Sequence, residues 1–181
     1  MHNDQLLEMN MRYFLVIVAV VVLVAASISF AQGVDTDSLK GKQAPDFTLK
    51  TLTGETVKLS EQKGKVVLVD MWATWCPPCR KSLPHIQEIS ANKELAGQGL
   101  VVWAVNFNEE PADVEKFTKE NKYTFVVPMD KGEVGKSYLV QGIPTTVIVG
   151  RDGTIKAVFI GFGPDSAGEI DKAVKSALAE K

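Results

Sequence analysis

The sequence predicts an α/β fold: a mixed central sheet flanked by helices, with an N-terminal β-hairpin and an inserted strand–helix unit. Three observations predict it. Apolar runs at residues 65–72 and 100–107 have the length and β-branched content of strands buried on both faces. Segments with helical spacing separate these runs from each other and from the apolar stretch at 144–149. Two turn signals, Thr53-Gly54 and Arg151-Asp152-Gly153, each sit between short segments of strand character.

The elements follow in order. Residues 47–52 and 56–59 flank Thr53-Gly54 and read as the hairpin. The run KVVLVDMW at 65–72 is interrupted only by Asp70 once it has left Lys65. Residues 76–92 carry Leu83, Ile86 and Ile89 at helical spacing. Residues 100–107 give the second buried strand, with Trp103 read as core, and 111–121 a helix opened by Pro111. A proline is tolerated there because a first-turn N–H has no helical partner to lose. Residues 125–129 read as a short strand and 133–139 as a short helix, the inserted pair. Residues 144–149 and 154–160 pair around the Asp152-Gly153 turn. The last helix covers 166–179, with Ser166 as the expected N-cap and Glu169 three residues on.

This domain, 42–181, is preceded by a polar stretch at 32–41 containing Gly33, Asp35, Asp37 and Ser38, which reads as a linker. Ahead of it, residues 13–30 (YFLVIVAVVVLVAASISF) carry no charge. That length fits a signal peptide or an N-terminal membrane anchor over residues 1–31, with Ser29 and Ala31 supplying the small residues of a cleavage site. Either outcome places the domain outside the cytoplasm, in a periplasm or on the outer face of the cytoplasmic membrane. Membrane contact is then confined to 13–30 where the segment is kept. The chain has 20 basic and 22 acidic side chains; without Asp4, Glu8 and Arg12 the balance is 19 to 20. So even a charge distribution supplies no footprint for nucleic acid.

The only two cysteines, Cys76 and Cys79, stand three positions apart in Trp75-Cys76-Pro77-Pro78-Cys79-Arg80. A bridge between them closes too short a loop to restrict the unfolded chain much, so the pair reads as chemistry rather than scaffold. The pair follows a buried strand and opens a helix. The helix N-terminus favours negative charge, which predicts Cys76 as an exposed thiolate nucleophile and Cys79, one turn deeper, as the resolving thiol. Pro78 fits the first turn, and Arg80 adds positive charge nearby. A zinc site would need two more ligands, and the remaining candidates are His2 and His85. His85, alone on a helix, reads as a packing or surface residue. No metal and no cofactor is expected beyond a redox-active Cys76–Cys79 disulfide.

The segment Val69-Asp70-Met71-Trp72-Ala73-Thr74-Trp75-Cys76-Pro77-Pro78-Cys79-Arg80 resembles the active-site stretch of thioredoxins, and Gly142-Ile143-Pro144-Thr145 resembles their cis-proline loop. The opening Ala44-Pro45-Asp46-Phe47-Thr48-Leu49 is similar to the redoxin-type, extracytoplasmic branch of the superfamily, the TlpA/ResA-like thiol–disulfide oxidoreductases. The resemblance covers residues 41–181. It implies a thioredoxin-like fold and a cis Pro144 facing the cysteines, with Ile143 left to pair with an extended substrate. Asp70 falls where thioredoxins keep a buried carboxylate behind the second cysteine. Burial should raise its pKa and fit it to take the proton of Cys79. Trp75, with Pro77 and Pro78, would form the contact surface, while Trp72 packs. ResA-like members often carry Glu three residues after the second cysteine; Ser82 stands there, which moves the acid–base role to Asp70. The resemblance further implies a reductant of protein disulfides, including apocytochrome c during cytochrome c maturation, recharged by a membrane thiol donor. Two other functions share the fold. A peroxidase would need Pro-x-x-x-Thr-x-x-Cys, and the matching positions are Val69 and Ala73; a copper-binding module would want a further histidine on a downstream loop.

Overall fold

The structure, a computed structural model, describes residues 36–180. The expected signal or anchor at 1–31 and the start of the linker lie outside the described residues. None of the described helices is long and apolar enough to cross a membrane.

Strands β1 (Thr48–Lys50) and β2 (Thr56–Lys58) form the expected antiparallel hairpin. Five further strands make one sheet: β3 (Val66–Trp72), β4 (Leu100–Phe107), β5 (Met129–Asp130), β6 (Thr145–Val149) and β7 (Ile155–Ile160). Their order is β5-β4-β3-β6-β7. The β3–β4 and β4–β5 pairs are parallel, and β3–β6 and β6–β7 antiparallel. The mixed sheet of the sequence reading is therefore present, with β3 at its centre. All seven residues of β3 are buried, which is why the run lacks the alternation of a half-exposed strand.

Side chains of β3 still divide between two layers. Val66, Leu68 and Trp72 face a core built with α1 (Pro77–Ala91) and α5 (Ser166–Ala179), which contribute Leu83, Ile86, Ile170 and Val174. Val114 of α3 (Pro111–Glu120) joins the same layer. Val67, Val69 and Met71 face the opposite layer, closed by Phe47 and Leu59 and by Val134 and Tyr138 on or beside α4 (Glu133–Ser137). Trp103 sits there as core, edge-on to Phe47 at 5.7 Å.

Four local readings are corrected. The strand expected at 125–129 shrinks to Met129–Asp130 plus two isolated bridges, from Val126 to Trp103 and from Pro128 to Thr51. Pro128 has no N–H to give the ladder, and only its carbonyl is used, by Asn106 N. Helix α1 ends at Ala91 because Asn92 turns into an extended conformation and caps a new five-residue helix, α2 (Lys93–Gly97); its Oδ1 accepts from Glu94 N and Leu95 N. The N-cap of α5 is Asp165 rather than Ser166, and no side chain caps it. Ser166 Oγ instead accepts from Gly163 N at 2.8 Å, closing the turn ahead of the helix. Finally, Thr36–Leu39, within the stretch read as linker, form a 3-10 turn. Thr36 is buried, Gly41 N donates to Ile155 O, and Ile155 N donates to Lys42 O. The folded body thus extends back at least to Thr36.

Candidate active site

The site lies where β3 ends. After Trp72 the chain leaves the sheet, and Cys76 becomes the N-cap of α1 in an extended conformation (φ −88°, ψ 108°). Pro77 and Pro78 occupy the first helical turn and have no N–H. The helix's first available donor is therefore Cys79 N, which points at Cys76 Sγ at 3.2 Å. The two sulfurs form a disulfide of 2.08 Å. The sequence places the pair together at a helix start; the fold adds which sulfur takes the helix's unsatisfied N–H.

Cys79 is fully buried, as its position one turn into the helix implies. Cys76 departs from expectation: it is 2% exposed in the disulfide, not an open thiol. The loop carrying Ile143 and Pro144 covers it, with Cys76 Sγ 3.5 Å from Ile143 O. The Ile143–Pro144 peptide is cis. Pro144 O accepts from Gly161 N at 2.8 Å and Thr145 Oγ1 donates to Gly142 O at 2.7 Å, so the loop is pinned on both sides. Around the covered sulfur the surface is apolar. Trp75 is 63% exposed, Pro77 and Pro78 are exposed and Ile143 is half-buried. Ile160, 55% exposed and next to Gly161, extends this rim beyond what the sequence indicates.

Asp70 sits mid-strand in β3, between Ala104 of β4 and Thr146 of β6. Its position in the alternation puts it on the Leu68–Trp72 side, the layer that contains Cys79. It has no solvent exposure. Burial pushes its carboxyl from 3.8 up to about 6, opposed by a hydrogen bond that Thr146 Oγ1 donates to Oδ1 at 2.7 Å. Among the described residues its Oδ2 has no hydrogen-bond partner.

A second set of residues at the site is invisible in the sequence. Glu109, just past β4, reaches back 35 positions to Thr74, accepting from Thr74 N at 2.7 Å and from its hydroxyl. Asn106 Nδ2 donates to the same carboxylate at 2.7 Å. On the other side Arg80 Nε donates to Thr74 O at 2.6 Å, and its guanidinium lies 5.4 Å from the Phe117 ring. Thr74 is thereby held by its N–H, hydroxyl and carbonyl, two residues before Cys76. The Thr74-Trp75-Cys76 stretch was legible as a motif, but nothing in sequence spacing links it to Glu109.

The remaining expected residues are structural. Trp72 is buried with Nε1 donating to Ala104 O at 3.0 Å. Ser82 is buried and donates to Cys79 O at 3.0 Å. His85 is largely covered at the seam of α1 and α5, with Nε2 3.1 Å from Asp171 Oδ1. Among the described residues no group of three or more His, Cys, Asp or Glu side chains is placed to hold a metal ion.

Comparison with known proteins agrees with this geometry. The AhpC/TSA family model matches residues 40–158. The thioredoxin-like protein YneN of Bacillus subtilis is 41% identical over 125 residues, covering 67% of this chain and 72% of that protein. The thiol-disulfide oxidoreductase ResA of Bacillus thuringiensis is 33% identical over 153 residues, 82% of this chain and 87% of that one. A solved structure from Chlorobium tepidum, assigned as the thiol:disulfide interchange protein DsbE, superposes with a TM-score of 0.72 at 36% identity, over 77% of this chain and 98% of the other.

Proposed function

The chain belongs to the AhpC/TSA family and is a thiol–disulfide oxidoreductase of thioredoxin-like fold, and from that premise we propose that it works outside the cytoplasm as a reductant of protein disulfides. The observation that carries this reading is the Cys76–Cys79 disulfide at the start of α1, with Cys76 Sγ taking the first free helix N–H and lying against the Ile143 carbonyl.

In the reduced protein the same N–H and the helix dipole favour a Cys76 thiolate. Cys76 attacks one sulfur of a client disulfide, the client S–S bond breaks, and a mixed disulfide forms while the other client sulfur leaves as a thiol. Cys79 then attacks Cys76, the intramolecular disulfide closes, and the second client thiol is released. Two electrons pass from the dithiol to the client. Asp70 takes the Cys79 proton, being buried, close to neutrality in its titration, and left with one free oxygen. Trp75, Pro77, Pro78 and Ile143 form the client contact, and Pro144 closes the site against the cysteines.

The reducing direction rests on the TlpA/ResA-like resemblance and on relatives bearing the ResA name. It requires a membrane thiol donor to recharge the pair, and apocytochrome c is a fitting client. Residues 13–30 would export or tether the domain. A redox potential near the −120 mV or so of a strong oxidant would overturn the reductant reading. The thiol chemistry is tested by trapping: Cys79→Ala holds client proteins on Cys76 as mixed disulfides, while Cys76→Ala holds none. Equal trapping by both variants reverses or removes the assigned roles. Peroxide reduction is the second reading that the family match invites. Val69 and Ala73 stand where the peroxidatic motif needs Pro and Thr, so consumption of hydrogen peroxide by the dithiol form should stay at the level of a free dithiol.

A further inference from the structure

We propose that Thr146 is a positioning residue for the resolving step: its hydroxyl binds Asp70 Oδ1 and so leaves Oδ2 as the atom that receives the Cys79 proton. The inference rests on the reading of Asp70 as proton acceptor and adds the group that sets which oxygen acts and at what pH.

The geometry is specific. Asp70 and Thr146 are directly opposed in the antiparallel β3–β6 ladder, so their side chains leave the sheet on the same face. Thr146 is buried, and its Oγ1 lies 2.7 Å from Oδ1. Asp70 Oδ2 is buried with no hydrogen-bond partner among the described residues. An unpaired buried acceptor is costly, and a carboxyl group relieves that cost by carrying its proton on the unpaired oxygen. The Oδ1–hydroxyl bond favours the ionised form and holds back the upward push of burial.

Glu109, half-buried just past β4, is engaged by Thr74 and Asn106, and the charges flanking Val114 on α3, Asp113, Glu115 and Lys116, are exposed. Over this face β4 presents Ala104, and α5 presents Ile170, Val174 and Ala177, its Glu169, Lys172 and Lys175 being exposed. From α1 come Leu83, Ile86 and, once reduced, the titratable Cys79; Arg80, Lys81 and Glu88 are exposed. His85, paired with Asp171, and Tyr123, stacked on Phe125, stand at the rim. Among the described residues the titratable groups buried in this layer with Asp70 are thus the two cysteines, and in the mixed disulfide only Cys79 is still a thiol. When Cys79 attacks the mixed disulfide, its S–H bond breaks, the proton moves to Oδ2, the new S–S bond forms to Cys76 and the client sulfur leaves with the electron pair of the broken bond.

The test uses Thr146→Val, which keeps the branched shape a buried strand position wants, with Thr146→Ser as the rescue. Two quantities are read: the Asp70 carboxyl titration, by carbon-13 NMR of aspartate-labelled reduced protein, and the pH profile of oxidation by oxidised glutathione. Losing a hydrogen bond to the ionised form should move the Asp70 midpoint up by about one unit or more in the valine variant. The rate profile should move with it, so that the rate near pH 6 falls roughly fivefold and recovers at higher pH. Serine should restore both. An unmoved Asp70 midpoint in Thr146→Val overturns the inference while leaving the proton-acceptor reading in place, which Asp70→Asn tests separately through loss of the same step. A moved midpoint with an unmoved rate profile overturns the inference and the reading together.

Discussion

Asp70 is the one ionisable side chain in a strand that is otherwise apolar and wholly buried, and its energetics carry a prediction independent of catalysis. Its carboxyl is raised from 3.8 to about 6, chiefly by burial. Below about pH 4 it is protonated in both the folded and the unfolded chain, so the folded state carries no charge penalty. Between pH 4 and 6 the unfolded chain releases the proton while the folded protein keeps it, so stability falls as pH rises; above about 6 both are ionised and the loss is complete. The window corresponds to about 3 kcal/mol. Urea denaturation of the oxidised protein should show this fall across pH 4–6, and Asp70→Asn should lack it. A wild-type curve flat through that window would remove the raised titration. The sequence made Asp70 conspicuous as a charge in an apolar run. It could not identify Thr146 as its partner, because 76 positions separate them and only the register of β6 on β3 brings them together.

Among the elements, the strands of the central sheet were legible from their length and apolar continuity, and their observed bounds fall within a residue or so of the reading at β3, β4, β6 and β7. The failures have local causes. Pro128 withdraws a donor from the edge strand, and Asp165 displaces Ser166 from the N-cap of α5. Asn92 was hidden because one side chain ends α1 and begins α2, a junction without the glycine that marks many helix ends. Its carboxamide satisfies two N–H groups of α2, at 3.0 and 3.1 Å from Oδ1. Asn92→Ala should therefore cost about 1 kcal/mol of stability. The loss should appear in thermal denaturation with thiol exchange unchanged, since this junction lies at the far end of α1 from Cys76.

Across the whole molecule, the sheet separates two ends with different tasks. The disulfide, the Ile143–Pro144 loop and Glu109 gather where β3 and β4 finish and β6 begins. The opposite end is tied by Arg151, whose guanidinium donates to the carbonyls of Gly64, Gln98, Leu178 and Glu180 at 2.7 to 3.2 Å. One side chain thus joins the turn after β6 to the entries of β3 and β4 and to the end of α5. Removing it leaves those carbonyls to find water. Arg151→Ala should destabilise the fold by about 1–3 kcal/mol. The redox potential should stay unchanged, because no contact of Arg151 reaches the cysteines; a shifted potential would mean the two ends are coupled. By itself the sequence determined the α/β class, the central strands, the Cys76–Cys79 centre and the candidacy of Asp70 and Pro144. The class, the strands and the cysteine pair are written in local spacing and apolar periodicity, which do not depend on distant partners, while Asp70 and Pro144 are marked by the resemblance of their segments to the thioredoxin active-site stretch and cis-proline loop. Only the tertiary structure decided that Cys76 is covered in the disulfide, that Glu109 and Arg80 hold Thr74, and that Thr146 takes one oxygen of Asp70. The coverage of Cys76, the Glu109–Thr74 bond and the Thr146–Asp70 bond are contacts between segments distant along the chain, fixed by strand order and register, and none is encoded at any single position.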